Sequence, residues 1–233
     1  MDKPLAASTL NKVLAFGLAI TLIVWTFGVY MVLPAQAVDA HIDGTVVLSG
    51  GTVYKIMGGQ RLGYPTPASF LSYNYQWGNL VPANSADLAL PQGANVKVAD
   101  GALINDGGTV FLVYGGTKYG FTSAAVFTGL GYKWSNVLND SLSSYPQGAN
   151  VDSATMAHPN GTLVNASGTI FLITSTGRAG IPTLAVFQSH GFDFAKSVPA
   201  NSADLAKPTE ANLGYRVGSV INDGGTIWGI TSA

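Results

Sequence analysis

Three aromatic pairs recur at one place in a repeating pattern: Tyr75 and Trp77, Tyr132 and Trp134, and Phe192 and Phe194. Flat aromatic faces beside polar groups suit weak, repeated contacts with sugar rings, so Tyr75, Trp77, Tyr132 and Trp134 are the candidate ligand-binding aromatics. Large aromatics are rarely left exposed, so the Trp position reads as core and Tyr75 and Tyr132 as the better surface candidates. A base recurs as well, as Arg61, Lys118 and Arg178. Aligned by repetition, such bases would attract an anionic wall polymer or a phosphate-bearing glycan. They would equally serve as solvated edge charges that keep sheets from pairing with one another.

Other chemistry is harder to assemble. Asn105-Asp106-Gly107-Gly108 and Asn222-Asp223-Gly224-Gly225 carry oxygens suited to calcium, but the first copy reads Leu48-Ser49-Gly50-Gly51. Calcium wants roughly six to eight oxygens, so turn formation accounts better for these residues. His41, His158 and His190 show no metal-ligand spacing and no acid partner in the sequence, and they read as incidental. There is no cysteine and no Gly-x-Ser-x-Gly elbow. The acids follow turns and helix caps, so we expect no enzyme, no cofactor and no metal, with a wall-glycan hydrolase as the weakest alternative.

The positioning elements come from the repeat. Its starts are Gly44, Gly101, Gly161 and Gly218, which lie 57, 60 and 57 residues apart. Within each copy two apolar runs flank a turn cluster, as in Leu103 to Asn105 and Val110 to Tyr114, and a second turn follows at Gly115-Gly116. That predicts a three-stranded antiparallel meander. Thr66, Ser123 and Thr183 then supply helix N-caps, and Phe70, Phe127 and Phe187 fall on the inward face. Asn74, Gly131 and Gly191 stop each helix. A capped single turn is expected at Asn84 to Leu88 and Asn201 to Leu205. The fold class is α+β: tandem repeats, each a meander plus a short α-helix, sharing one hydrophobic interior. A C-terminal hairpin half-repeat is expected to complete the sheet of the preceding repeat. The boundaries are 1–37 for a signal peptide or anchor, 38–100, 101–160 and 161–217 for the repeats, and 218–233 for the partial repeat.

Read together, these residues resemble a tandem repeat of exported bacterial cell-envelope proteins. That repeat runs as Gly-Thr-Leu-Val, a hairpin, Gly-Thr-Val-Tyr-Leu-Ile, a base, two Phe, Gly-Tyr-x-Trp and Leu-x-x-x-Pro. The likeness covers Gly44 to Ala233, and it departs in the third copy, where Phe194 stands in the Trp position. The resemblance implies an envelope location, sometimes beside wall-degrading domains, and no established activity.

Location is also read from the N-terminus. Lys3 and Lys12 precede an uncharged apolar run from Val13 to Leu33, and Pro34-Ala35-Gln36-Ala37 offers a signal-peptidase site. Residues 1–37 are either cleaved after Ala37 or kept as a single-pass membrane anchor through residues 13–33, an N-terminal hydrophobic helix. Either way the repeats lie outside the cytoplasm, secreted or at the cell surface. Beyond Ala37 nine bases face eleven acids with no basic run, which excludes nucleic acid as a partner. The expected function is a non-enzymatic cell-envelope protein that binds or scaffolds, with wall polysaccharide or other surface proteins as partners. The alternative is a self-assembling subunit of a surface layer or fibre.

Overall fold

The computed structural model describes residues 38–230. The export segment expected at residues 1–37 lies outside them. Among the described residues no helix is long and apolar enough to cross a membrane.

The protein is α+β, built from small, largely antiparallel sheets and a few short helices. In the first repeat β1 (Val46–Ser49), β2 (Thr52–Met57) and β3 (Gln60–Gly63) form an antiparallel meander. Helix α1 (Pro67–Leu71) follows, capped by the Thr66 side chain, which accepts from the Ser69 amide at 3.1 Å. After a 3-10 turn at Trp77–Asn79, β4 (Val81–Pro82) returns to pair in parallel with β1. Helix α2 (Ser85–Ala89) closes the repeat.

The second repeat has β5 (Leu103–Asp106), β6 (Thr109–Tyr114), β7 (Thr117–Gly120), α3 (Ala124–Gly129) and β8 (Val137–Asn139) in the same arrangement. The third has β9 (Leu163–Ala166), β10 (Thr169–Ile173), β11 (Arg178–Gly180), α4 (Leu184–Ser189), β12 (Val198–Pro199) and α5 (Ser202–Leu205). Here β13 (Thr209–Glu210) lies parallel beside β11, and single bridges from Arg61 to Gln92 and from Lys118 to Gln147 take its place in the earlier copies. Each meander is therefore flanked on both edges by short parallel segments. The expected plain meander is incomplete for a physical reason. Two- and three-residue segments ending in Pro or Asn carry no strand pattern of their own, and distant chain pairs them.

The hairpin β14 (Val220–Asp223) and β15 (Thr226–Gly229) forms as expected but stands as its own two-stranded sheet. It does not complete the third sheet, because β13 already occupies the outer edge beside β11.

The interior is also divided more finely than one continuous core. Four apolar clusters form, and two of them cross repeats. The largest joins Leu112, Phe127 and Val151 of the second repeat to Val164, Ile173 and Val198 of the third. Another packs Ala68 of α1 against Ile104, Val113 and Leu142 of the second. Phe70 and Phe127 have no exposed surface, each worth about 2 kcal/mol of apolar burial.

The starting glycines bring the copies together. Gly44, Gly101, Gly161 and Gly218 all have φ between 82° and 94°. A side chain on Gly101 would run into the Gly161 carbonyl, and one on Gly44 would stand 3.0 Å from the Gly218 carbonyl oxygen. The second repeat thus abuts the third, and the partial repeat lies against the first.

Candidate functional site

The aromatic positions are arranged in the reverse of the expected order. Trp77 and Trp134 are each 52% exposed and Phe194 is 55% exposed, whereas Tyr132 is buried at 6% and Tyr75 is only partly accessible. The Tyr132 hydroxyl lies 2.6 Å from Thr162 Oγ1 in the third repeat, and burial pushes its pKa far above the ordinary phenol range. Tyr75 stacks on Tyr73 at 5.8 Å between ring centres. The cause is local. The left-handed stop at Asn74 or Gly131 sends the next residue inward, and two residues later the chain enters a 3-10 turn whose first ring lies over the helix Phe from outside.

Each of these outer rings is held by that Phe. Trp77 lies 4.3 Å from Phe70, Trp134 4.4 Å from Phe127, and Phe194 4.0 Å from Phe187. Because the Phe rings are fixed in the core, the outer rings are rigid platforms with one face open.

The recurring bases are occupied within their own sheets. Arg61 sits over the Tyr54 ring at 5.5 Å, Lys118 over Phe111 at 4.8 Å, and Arg178 over Phe171 at 5.0 Å. Lys118 also donates to the Leu142 carbonyl at 3.1 Å and approaches Asp106 at 3.5 Å. These stacks place each base on the ring of the neighbouring strand. The turn residues serve turns. Asn105, Asn165 and Asn222 each accept from the glycine amide three residues on.

Sequence reasoning missed the histidines. His41 and His158 lie 117 residues apart, as do Asp87 and Asp204, so both pairs occupy the same repeat position. His158 Nδ1 is 2.6 Å from Asp204 Oδ2, and its backbone amide donates to Oδ1 at 2.7 Å. His41 makes the same two contacts with Asp87, at 2.7 and 2.8 Å. Burial alone would raise the two Asp pKa values. The bonds they accept from the His side chains and from the His and Asn amides outweigh it and hold both below the ordinary range. Ahead of the second starting glycine, Val98 stands in place of the His, and its amide donates to the Tyr145 hydroxyl at 3.0 Å. Asp204 and His158 are both buried, and in each pair the Asp ties the chain ahead of a starting glycine to the helix that closes a repeat.

A second kind of site lies between repeats. The three copies and the segment before Gly218 line an open cavity of about 540 Å³. Lys97, Asp100, Asp193, Lys196 and Arg216 reach its lining, together with aromatic and backbone groups. Burial lowers the pKa of Lys196 against the opposing pull of Asp193. Neither the paired aromatics as a set nor the recurring bases form this lining. Tyr132 alone of the candidate residues reaches it.

No protein-family model matches this chain, and no curated protein matches it. Among solved structures it is similar to a chain of an intact ESX-5 inner membrane complex at 14% identity, with a TM-score of 0.19. That match covers 89% of this chain and 59% of the other, so the chain spans well under two thirds of the length it matches. A chain of the periplasmic assembly of the ESX-5 inner membrane complex gives 16% identity, coverages of 76% and 67%, and a TM-score of 0.21. Scores of that size fall below those of a shared fold.

Proposed function

We propose that this protein is an exported, non-enzymatic repeat protein of the bacterial cell envelope that binds wall polysaccharide through its outer aromatic rings. The observation that carries the reading is the platform geometry. Trp77, Trp134 and Phe194 are each more than half exposed, yet each is held against a buried Phe, so stacking on a sugar costs little side-chain freedom. Three such rings in one chain suit a repeating polymer, since every engaged ring raises avidity without tightening any single site. Export rests on the Val13 to Leu33 run and the Pro34 to Ala37 site, and the envelope setting on the resemblance of the repeat.

Titrating purified wall glycan while following tryptophan fluorescence tests the proposal. Trp77→Ala and Trp134→Ala should each weaken binding roughly fivefold to tenfold, the loss of one stacking contact worth about 1 kcal/mol. Fluorescence that stays unchanged at millimolar glycan, or variants that bind as tightly as the parent, would remove the glycan reading.

Assembly with other copies is the second reading, and one observation favours it. Val220, Ile227 and Trp228 of the terminal hairpin are all more than half exposed. The equivalent residues Leu103, Val110 and Phe111 are buried in the second repeat. A sedimentation series that shows only monomer across concentration would exclude this reading.

A further inference from the structure

The cavity between the repeats is lined by residues that the repetition does not copy. Lys196 stands where the other copies have Asn79 and Asn136, and Lys97, four residues before Gly101, stands where Ala40, Ala157 and Gly214 precede the other starting glycines. Arg216 occupies a position held by Ile42, Ala99 and Pro159 elsewhere. At each of these three positions, where the copies diverge, a base reaches the junction. A ligand site needs dissimilar groups converging once, and this is where the chain supplies them.

The charges there are unevenly committed. Among the described residues no carboxylate lies within 4.0 Å of Lys97, Lys196 or Arg216. The acids that share the lining already serve the backbone: Asp100 accepts from the Gly115 amide at 2.8 Å, and Asp193 from the Ala195 amide at 2.9 Å. His190 Nε2 sits 2.9 Å from the Gly214 carbonyl. Arg216 is fixed in place, because its backbone amide donates to Ser189 Oγ at 3.1 Å and its guanidinium lies over the Tyr73 ring at 5.6 Å. Its charge is felt beyond the cavity. After burial, Arg216 is the next cause holding the Lys55 ammonium below its ordinary pKa, against the opposing pull of Asp43. Arg216 and Lys196 thus bring cationic groups to one lining with no carboxylate against them, an arrangement that attracts an anion.

We infer that this cavity is a binding site for a sugar-sized polar molecule bearing one oxyanion group, phosphate or carboxylate, held by Arg216, Lys196 and Lys97. A volume of about 540 Å³ falls in the range of small-molecule sites. Arg216 offers the forked donors that suit an oxyanion, Lys196 and Lys97 add point charges, and Tyr73 and Phe192 contribute apolar ring surface to the lining.

Calorimetric titration of the full-length protein with glucose 6-phosphate, glucuronate, inorganic phosphate and glucose decides the matter. Glucose 6-phosphate or glucuronate should bind at least about tenfold more tightly than glucose, and the stronger of the two identifies the anion. Arg216→Gln and Lys196→Gln should each weaken that binding by roughly fivefold to tenfold, and Lys133→Gln, at an exposed base outside the lining, should leave it unchanged. Lys97→Gln, at an exposed position, should weaken binding in the same direction with the melting temperature intact, which keeps the test valid if either other variant unfolds. Heats equal for glucose and its phosphate, no heat for any of the four at millimolar concentration, or three base variants with parental affinity would each overturn the assignment.

Discussion

Asp204 has no exposed surface and accepts three hydrogen bonds, two from His158 and one from the Asn201 amide at 2.8 Å. Removing that carboxylate leaves His158, itself buried, without its main partner, and Asp204→Ala should cost about 3 kcal/mol in urea unfolding. Acid should act the same way more gradually. Because Asp87 and Asp204 are held below the ordinary value of 3.8, the stability they add is fully present above that value. It is lost as pH falls through their lower folded-state values. Melting temperature should therefore drop on acidification below about pH 4, less so in Asp204→Asn, which no longer titrates there. A parent protein whose melting temperature is flat through that range would show that these carboxylates do not hold the repeat closed.

Within an element, the repeat's glycines divide into two kinds that look alike in sequence. Gly101 combines a φ of 82° with a side-chain direction blocked by the Gly161 backbone, so Gly101→Ala should destabilise by at least about 2 kcal/mol. Gly107, at φ 61°, faces open space, and the third copy already carries Ser167 at the same position with φ 52°. Gly107→Asn should then cost less than about 1 kcal/mol by the same denaturation assay. Equal losses in the two variants would mean that strain alone, and not the close approach of backbones, fixes the starting glycine. What the chain discloses in advance follows the same line between local and distant causes. The caps at Thr66, Ser123 and Thr183 were legible because a hydroxyl and an amide three residues on satisfy each other within one turn. The parallel edge strand Val81–Pro82 was not, since its partner β1 lies more than thirty residues earlier and two residues carry no period. Trp77 was placed inside from its size alone, although the 3-10 turn that turns it outward is set by the stop at Asn74. His41 and His158 could have been found from their shared 117-residue spacing with Asp87 and Asp204, a signal of pairing that counting ligand motifs passes over. The cavity bases were invisible to a search for repetition because they are the positions where the copies disagree.

At the scale of the whole molecule, the chain closes on itself through its least regular piece. Gly218 backs onto Gly44, Arg216 lies over Tyr73, and the Asn74 side-chain amide donates to the Gly191 carbonyl, so the first repeat is held by the third and by the partial one. The hairpin β14–β15 adds little core of its own, with Ile227 and Trp228 open, so its contribution to stability must come from this junction. Deleting residues 218–233 removes the backbone that meets Gly44 and frees the segment that carries Arg216. The truncated protein should melt lower by about 2 to 4 °C for each kcal/mol lost. It should also lose affinity for glucose 6-phosphate or glucuronate, whichever the parent binds, even where Arg216 is retained, because Ser219, whose hydroxyl donates to the Ser189 carbonyl at 3.3 Å, leaves with the hairpin and that end of the lining loosens. A truncated chain that keeps both its melting curve and its ligand affinity would mean that the first and third repeats hold each other without the hairpin, and that the bases reach the cavity from a frame complete by residue 217.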